Sequence, residues 1–163
     1  MSIWASLYFG AVLIVAAISD VRSFRIPNVL PAILALGALV LATPETGGEW
    51  ASRFTSVLAV GGFAMGLYMA NGLGGGDVKL LAAAALWAPL STLPAFILSL
   101  GLAGGLQALA VMAWTRWRAA GALAGGAPAA EPAAPARMPY AVSIAAAGLF
   151  WLWWEAVGRA AAG

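Results

Sequence analysis

Asp20 and Asp77 are the only aspartates in this chain of 163 residues, and each adjoins a long apolar stretch. Asp77 stands behind a run of glycines in Gly74-Gly75-Gly76-Asp77-Val78-Lys79. Asp20 sits where the first apolar stretch ends. A charged side chain at membrane depth costs at least ~2.5–3.5 kcal/mol even on permissive insertion scales, so an acid there is a functional candidate. Two carboxylates able to meet at a membrane surface are the minimum set for an aspartyl hydrolase. One acts as base toward a water while the other gives a proton to the scissile carbonyl. Close carboxylates do not readily both ionise, so such a pair shares a proton and titrates as one unit.

Each acid also has a structural reading. Asp77 could cap a helix start by accepting orphan amide groups, but three glycines exceed what a cap needs. Glycine permits close approach of another chain, which an extended peptide substrate requires. Asp20 is at the C-terminal end of its helix, where the macrodipole disfavours an anion. It could serve as a surface partner for Arg22 and Arg25. Taken alone, the helix dipoles favour an ionised Asp77 and a protonated Asp20.

The elements that must position these acids are membrane helices. The chain is 63% hydrophobic and 9% charged, with mean hydropathy +0.93. A soluble domain is nearer ~45–50% apolar and ~25% charged. We expect one all-α, polytopic helical bundle of about six transmembrane helices, a single membrane domain over residues 1–163. Cysteine and histidine are absent, which excludes thiol nucleophiles, histidine bases, disulfides and Cys/His zinc sites. No metal site, cofactor or nucleic-acid partner is expected. The first apolar run has no Lys or Arg before it, the reverse of a secretory signal, so it reads as a retained helix.

The helices are expected at about 3–20, 28–43, 54–71, 77–88, 92–115 and 139–158. Helix 4 is short for a span, which sets its start below the membrane surface behind an irregular loop at 71–76. Asn28 reads as the N-cap of helix 2 after Pro27. Pro44 to Glu49 reads as a polar turn, and residues 119–137 as a flexible, cytoplasmic Ala/Gly/Pro-rich linker. Of the eight Lys and Arg residues, Arg22, Arg25, Lys79, Arg116, Arg118 and Arg137 fall on one side. Arg53 and Arg159 fall on the other with Glu45, Glu49 and Glu155. The positive-inside bias makes the first side cytoplasmic, with both termini outside and both aspartates at the cytoplasmic end. Gly62 with Gly66, and Gly101 with Gly105, are small-xxx-small patterns suited to close helix contact in lipid, within one bundle or in a homo-oligomer. Ala16 and Ala17 give Asp20 a small neighbouring face that another helix can approach. Trp151, Trp153 and Trp154 read as an interfacial anchor.

Together these residues resemble the prepilin peptidases, or type IV leader peptidases, of the GxGD membrane aspartyl proteases. Gly74 to Lys79 matches the GxGDxK motif. Asp20-Val21-Arg22 with Arg25-Ile26-Pro27-Asn28 resembles the first-aspartate motif. Met138-Pro139-Tyr140-Ala141 with Ile144 and Gly148 resembles a late Pro-Tyr-Gly segment, with Ala141 where glycine is usual. The resemblance implies Asp20 and Asp77 as the catalytic pair. It marks Gly74, Gly75, Gly76, Lys79, Arg25, Pro27, Asn28, Pro139 and Tyr140 as substrate-binding or site-shaping. It further implies removal of a short basic leader from prepilin or pseudopilin precursors at the cytoplasmic face of a bacterial inner membrane. The cysteine-bearing segment that larger members use for N-methylation is absent, so no methyltransferase activity is implied. The compact form is similar to the peptidases of tight-adherence (Flp) pilus systems, with archaeal preflagellin peptidases the near alternative.

Two other classes compete on the residues alone. A proton relay would spread acids along a path through the bilayer, whereas both acids here gather at one end and helix interiors offer little beyond Ser56, Ser99 and Gln107. A non-catalytic scaffold has no need of an acid at an unfavourable helix end.

Overall fold

The computed structural model describes residues 2–44, 46–124 and 138–162. Six helices are present among them: α1 (Ile3–Ser23), α2 (Val29–Leu41), α3 (Gly47–Met69), α4 (Gly75–Ala85), α5 (Leu93–Ala124) and α6 (Tyr140–Ala162). The all-helical expectation holds, with shifted boundaries. Helix α3 begins at Gly47 because Thr46 caps it, its hydroxyl accepting the Glu49 N–H at 3.3 Å. Residues 47–49, expected in a turn, therefore form the first helical turn. Helix α5 continues to Ala124 beyond the expected end near 115, taking in the first part of the expected linker. The rest of that linker, with Arg137, and Glu45 lie outside the described residues.

Helix α1, residues Leu93–Gly121 of α5 and Tyr140–Gly158 of α6 are each long and apolar enough to cross a membrane. Their outer faces are apolar too: Leu98, Leu102, Leu106 and Leu109 of α5 all stand exposed, as do Leu58 and Phe63 of α3. In water this would be a large adhesive surface; in lipid it is the expected coat. The chain is a membrane protein.

Short, alanine-rich α4 is the centre of the bundle and packs against α2, α3 and α6. Its Leu80, Leu81, Ala83, Ala84 and Ala85 are buried, and the small side chains let its neighbours close in. Helix α1 packs on α2 and α6, and α5 lies along α6. Close approach is made by glycines other than the expected ones. A methyl group on Gly148 would come 2.5 Å from Leu13 Cδ1, so this glycine admits α1 against α6. Gly62, Gly66, Gly101 and Gly105 meet no such neighbour within 4 Å, so the small-xxx-small faces are not used inside the bundle.

At the end formed by the start of α1, the end of α4 and the later half of α6, an aromatic cluster fills the core. Phe9 lies 5.1 Å from Trp87 and 6.0 Å from Trp151, and Phe96 meets Trp151 edge-on at 5.9 Å. Trp151, expected as an interfacial anchor, is only 1% exposed, because its position on α6 faces α1 and α5; Trp153 and Trp154 are exposed. The Trp87 indole donates to the Leu34 carbonyl at 3.0 Å, tying α2 to the end of α4. The Leu90 N–H donates to Ser52 Oγ at 2.7 Å and fixes the Pro89 reversal to α3.

Candidate active site

Asp20 lies in the last turn of α1 and is buried. The helix stops abruptly after it: Phe24 adopts left-handed backbone angles (φ 49°), and its N–H closes onto the Asp20 carbonyl at 2.7 Å. A bulky residue in that conformation costs on the order of 1–2 kcal/mol, so the surroundings must enforce it. Ser19 and Ser23 do so in part, both hydroxyls donating to the Arg25 carbonyl, at 3.0 and 3.4 Å. The turn sends residues 25–28 back across the start of α4.

The Asp20 carboxylate has a partner that sequence reading did not supply. Oδ2 accepts the backbone N–H of Ala141 at 3.0 Å, in the first turn of α6. That turn is itself anchored from α5: Gln107 donates through Nε2 to the Pro139 carbonyl at 2.9 Å, and its Oε1 accepts the Ser143 hydroxyl. A backbone N–H serves whether the residue is alanine or glycine, which accounts for Ala141 in the place of the usual glycine. Gln107 was visible as an isolated polar residue in an apolar helix, but Ser143 was not singled out and their pairing left no sign in the sequence.

Asp77 is buried in the first turn of α4, outside the three long spans. It is not the N-cap. Gly74 holds that position, and Asp77 Oδ2 accepts the Gly74 N–H at 3.2 Å, three residues back. The other oxygen, Oδ1, is buried with no hydrogen-bond partner among the described residues. Burial first, and then the charge of Asp20, push the Asp77 carboxyl up to about 6 from the usual carboxylate range, against the opposing Gly74 N–H. The two acids are therefore close enough to feel each other. The dipole argument had favoured ionised Asp77 and protonated Asp20. Burial outweighs the first-turn dipole at Asp77, and the start of α6 offers Asp20 an N–H that α1 alone could not.

The glycines divide by task. A methyl on Gly74 would lie 2.8 Å from Asp77 Oδ2 and break the capping contact. One on Gly76 would lie 3.0 Å from Ile26 Cβ, so Gly76 admits the 25–28 segment against α4. Gly75 meets only Tyr68 at an ordinary 3.6 Å and faces outward. The chain itself thus occupies two of the three approaches expected for substrate.

Asn28 holds the N-cap position of α2, as expected, but its side chain makes no capping hydrogen bond. Its Oδ1 accepts Lys79 Nζ at 2.9 Å, locking the post-α1 segment to α4. Arg25, Pro27, Asn28 and Lys79 are all exposed beside the two acids' elements, with the Arg25 carbonyl held by Ser19 and Ser23. Tyr140 is half-buried and lines an apolar cavity of about 280 Å³ with Leu73, Leu81 and Ile144. Pro139 contributes its carbonyl to Gln107. Among the described residues no three acidic, histidine or cysteine side chains gather as a metal site would require.

No curated protein and no solved structure gives a match. A family model does: that of the type IV leader peptidase family, over residues 7–109, more than half of the chain and inclusive of both aspartates. The Pro139-Tyr140 segment lies beyond that match, but the next residue, Ala141, donates its N–H to Asp20. The chain belongs to the type IV leader peptidase family.

Proposed function

We propose that the protein is an aspartic endopeptidase that removes the short basic leader from type IV prepilin-like precursors, Flp pilins or pseudopilins among them. Family membership supports a peptidase acting on prepilins. The observation that carries the aspartic mechanism is the convergence of Asp20 and Asp77, both buried, with Asp77 responding to the charge of Asp20.

The pair works as one acid and one base. Asp77 holds the shared proton on Oδ1, since Oδ2 is occupied by the Gly74 N–H. Asp20, held by Ala141, is the carboxylate that takes a proton from the attacking water. Hydroxide adds to the scissile carbonyl as Asp77 protonates its oxygen. Collapse of the tetrahedral intermediate returns one of its hydroxyl protons to Asp77 as the carbonyl re-forms and the C–N bond breaks, and the departing amine collects the proton taken up by Asp20. The carboxyl product and new amine terminus balance one water, and the pair returns to its one-proton state.

Exposed Lys79 and Arg25 border this site, and we assign them to lipid headgroups or acidic substrate positions. The chain runs six times between the two ends of the bundle, the Lys and Arg excess putting the aspartates at the cytoplasmic face of the bacterial inner membrane and the termini outside. Short α2 and α4 fit a site that water reaches from the cytoplasm.

The test is cleavage of purified prepilins by the protein in vesicles, with N-terminal sequencing of the product. The reading predicts a single new terminus just before the precursor's apolar helix. A well-folded protein that leaves several Flp and type IV prepilins intact, or cuts inside the apolar helix, contradicts it. Preflagellin run in parallel separates the archaeal alternative.

A further inference from the structure

The end of the bundle opposite the aspartates contains a second polar site. The stretch of α3 from Arg53 to Met69 sets the two ends roughly 24 Å apart at the rise of an α-helix. A cavity of about 470 Å³ opens there between the first turns of α3, the reversal after α4 and the later half of α6. Glu49, Ser52, Arg53, Ser91, Trp151 and Glu155 stand on its walls.

Its chemistry is one-sided. Arg53 is 8% exposed, yet its Nε and Nη1 are buried with no hydrogen-bond partner among the described residues. The same holds for Trp151 Nε1. In the same aromatic cluster, by contrast, the Trp87 indole finds a carbonyl. Two residues that line the cavity thus carry three N–H donors with no hydrogen-bond partner among the described residues. A buried guanidinium without full pairing is costly, so an outside acceptor is the economical explanation. A phosphodiester fits best, because a guanidinium fork matches two of its oxygens.

The rest of the wall restricts what carries that phosphate. Glu49 lies one helical turn before Arg53, and Glu155 adds a second carboxylate. Next to them a purely anionic group is repelled, whereas a phosphate joined to its own ammonium is matched at both ends. Trp153 and Trp154, exposed on the same part of α6, belong to the aromatic level of a membrane interface, which puts the cavity at headgroup depth.

We propose that this cavity binds the headgroup of a zwitterionic phospholipid bearing a primary amine, its phosphate on Arg53 and Trp151 and its ammonium toward Glu49. The site is independent of the cleavage reaction. It acts as a lipid clasp between α3 and α6 at this end of the bundle.

The experiment is thermal unfolding of the delipidated protein in detergent with added phosphatidylethanolamine, phosphatidylcholine, phosphatidylglycerol or inorganic phosphate, with acyl chains held constant. Phosphatidylethanolamine should raise Tm by roughly 5 °C near saturation, and phosphatidylglycerol by less than half as much. Phosphatidylcholine, whose quaternary amine donates no hydrogen bond, should fall between. Arg53→Gln should abolish the selective rise. Trp151→Phe keeps the ring and removes only the N–H, so it should reduce the rise even if Arg53→Gln does not fold. Equal stabilisation by phosphatidylglycerol, an equal effect of inorganic phosphate alone, or a full rise in Trp151→Phe would overturn the proposal.

Discussion

The two ends of this bundle bury polar groups of opposite kind. Among the described residues, Asp77 Oδ1 has no hydrogen-bond partner at the aspartate end, and Arg53 Nε and Nη1 and Trp151 Nε1 have none at the other. The ends are also built differently. The aspartate end is assembled from backbone: a left-handed turn at Phe24, a glycine cap at Gly74, and the Ala141 N–H delivered by the start of α6. The arginine end is assembled from side chains, with Phe9, Trp87, Phe96 and Trp151 packed as a core. Backbone fixes atoms closely without filling space, which suits an extended peptide and a water. Aromatic packing fills space and supports the helices. The contrast assigns reactivity to one end and cohesion to the other.

Substitutions can break this contrast. The largest effect short of the acids themselves is expected at Gln107, which touches neither aspartate. Gln107→Leu frees the Pro139 carbonyl and the Ser143 hydroxyl, so the Ala141 N–H loses its alignment on Asp20. The cleavage rate should fall about 10-fold or more, consistent with ~1.4 kcal/mol or more of lost positioning, while KM for prepilin moves less. An unchanged rate would mean that α6 is held without Gln107.

Asp77→Asn should act on stability in the opposite sense to most core changes. Its folded carboxyl titrates at about 6, above the usual carboxylate range. The folded state therefore binds more protons than the unfolded state between roughly pH 4 and 6, and stability declines as pH rises through that window. Above pH 6 the ionised acid is a burden of ~1–3 kcal/mol. The asparagine variant should unfold at higher temperature than wild type at pH 8, and the gap should close by pH 4. The same titration gives kcat/KM an alkaline limb at or above about pH 6, where the pair loses its shared proton, and an acidic limb where the pair takes up a second one. A profile flat on the acidic side would contradict the shared proton.

At the arginine end, Trp87→Phe removes the bond to Leu34 and some packing. It should lower stability by ~1–2 kcal/mol at every pH. Chemical unfolding at two pH values distinguishes it from the Asp77 change. The smallest contrast lies within the glycine run. Gly76→Ala presses on Ile26 and should lower stability and cleavage together, whereas Gly75→Ala has room and should be neutral or stabilising by up to ~1 kcal/mol.

Much of this was legible in the sequence, for reasons that differ by residue. Hydropathy and the Pro89 and Pro44 breaks gave six helices, because lipid leaves a backbone few alternatives. Asp20 and Asp77 stood out because an acid between apolar stretches needs a reason. Asn28 keeps the N-cap position of α2, but its side-chain bond was misread, as was the place of Trp151, since both depend on which neighbour a helix face meets: Lys79 took the Asn28 oxygen, and α1 and α5 covered Trp151. The glycine patterns at Gly62 and Gly101 signalled contacts that the bundle does not make, while Gly148, outside such a pattern, makes one. The Ala141 N–H could not be read at all, because a backbone donor leaves no mark in residue type.

The central claim is that Asp20 and Asp77 act as one unit. The direct measurement is the prepilin cleavage rate of Asp20→Asn, Asp77→Asn and the double variant, each in vesicles at matched amounts of folded protein. The account predicts that either single change costs about 10³-fold or more and that the double variant is no worse than the poorer single one. A single variant within about 10-fold of wild type, or losses that multiply in the double variant, would contradict it.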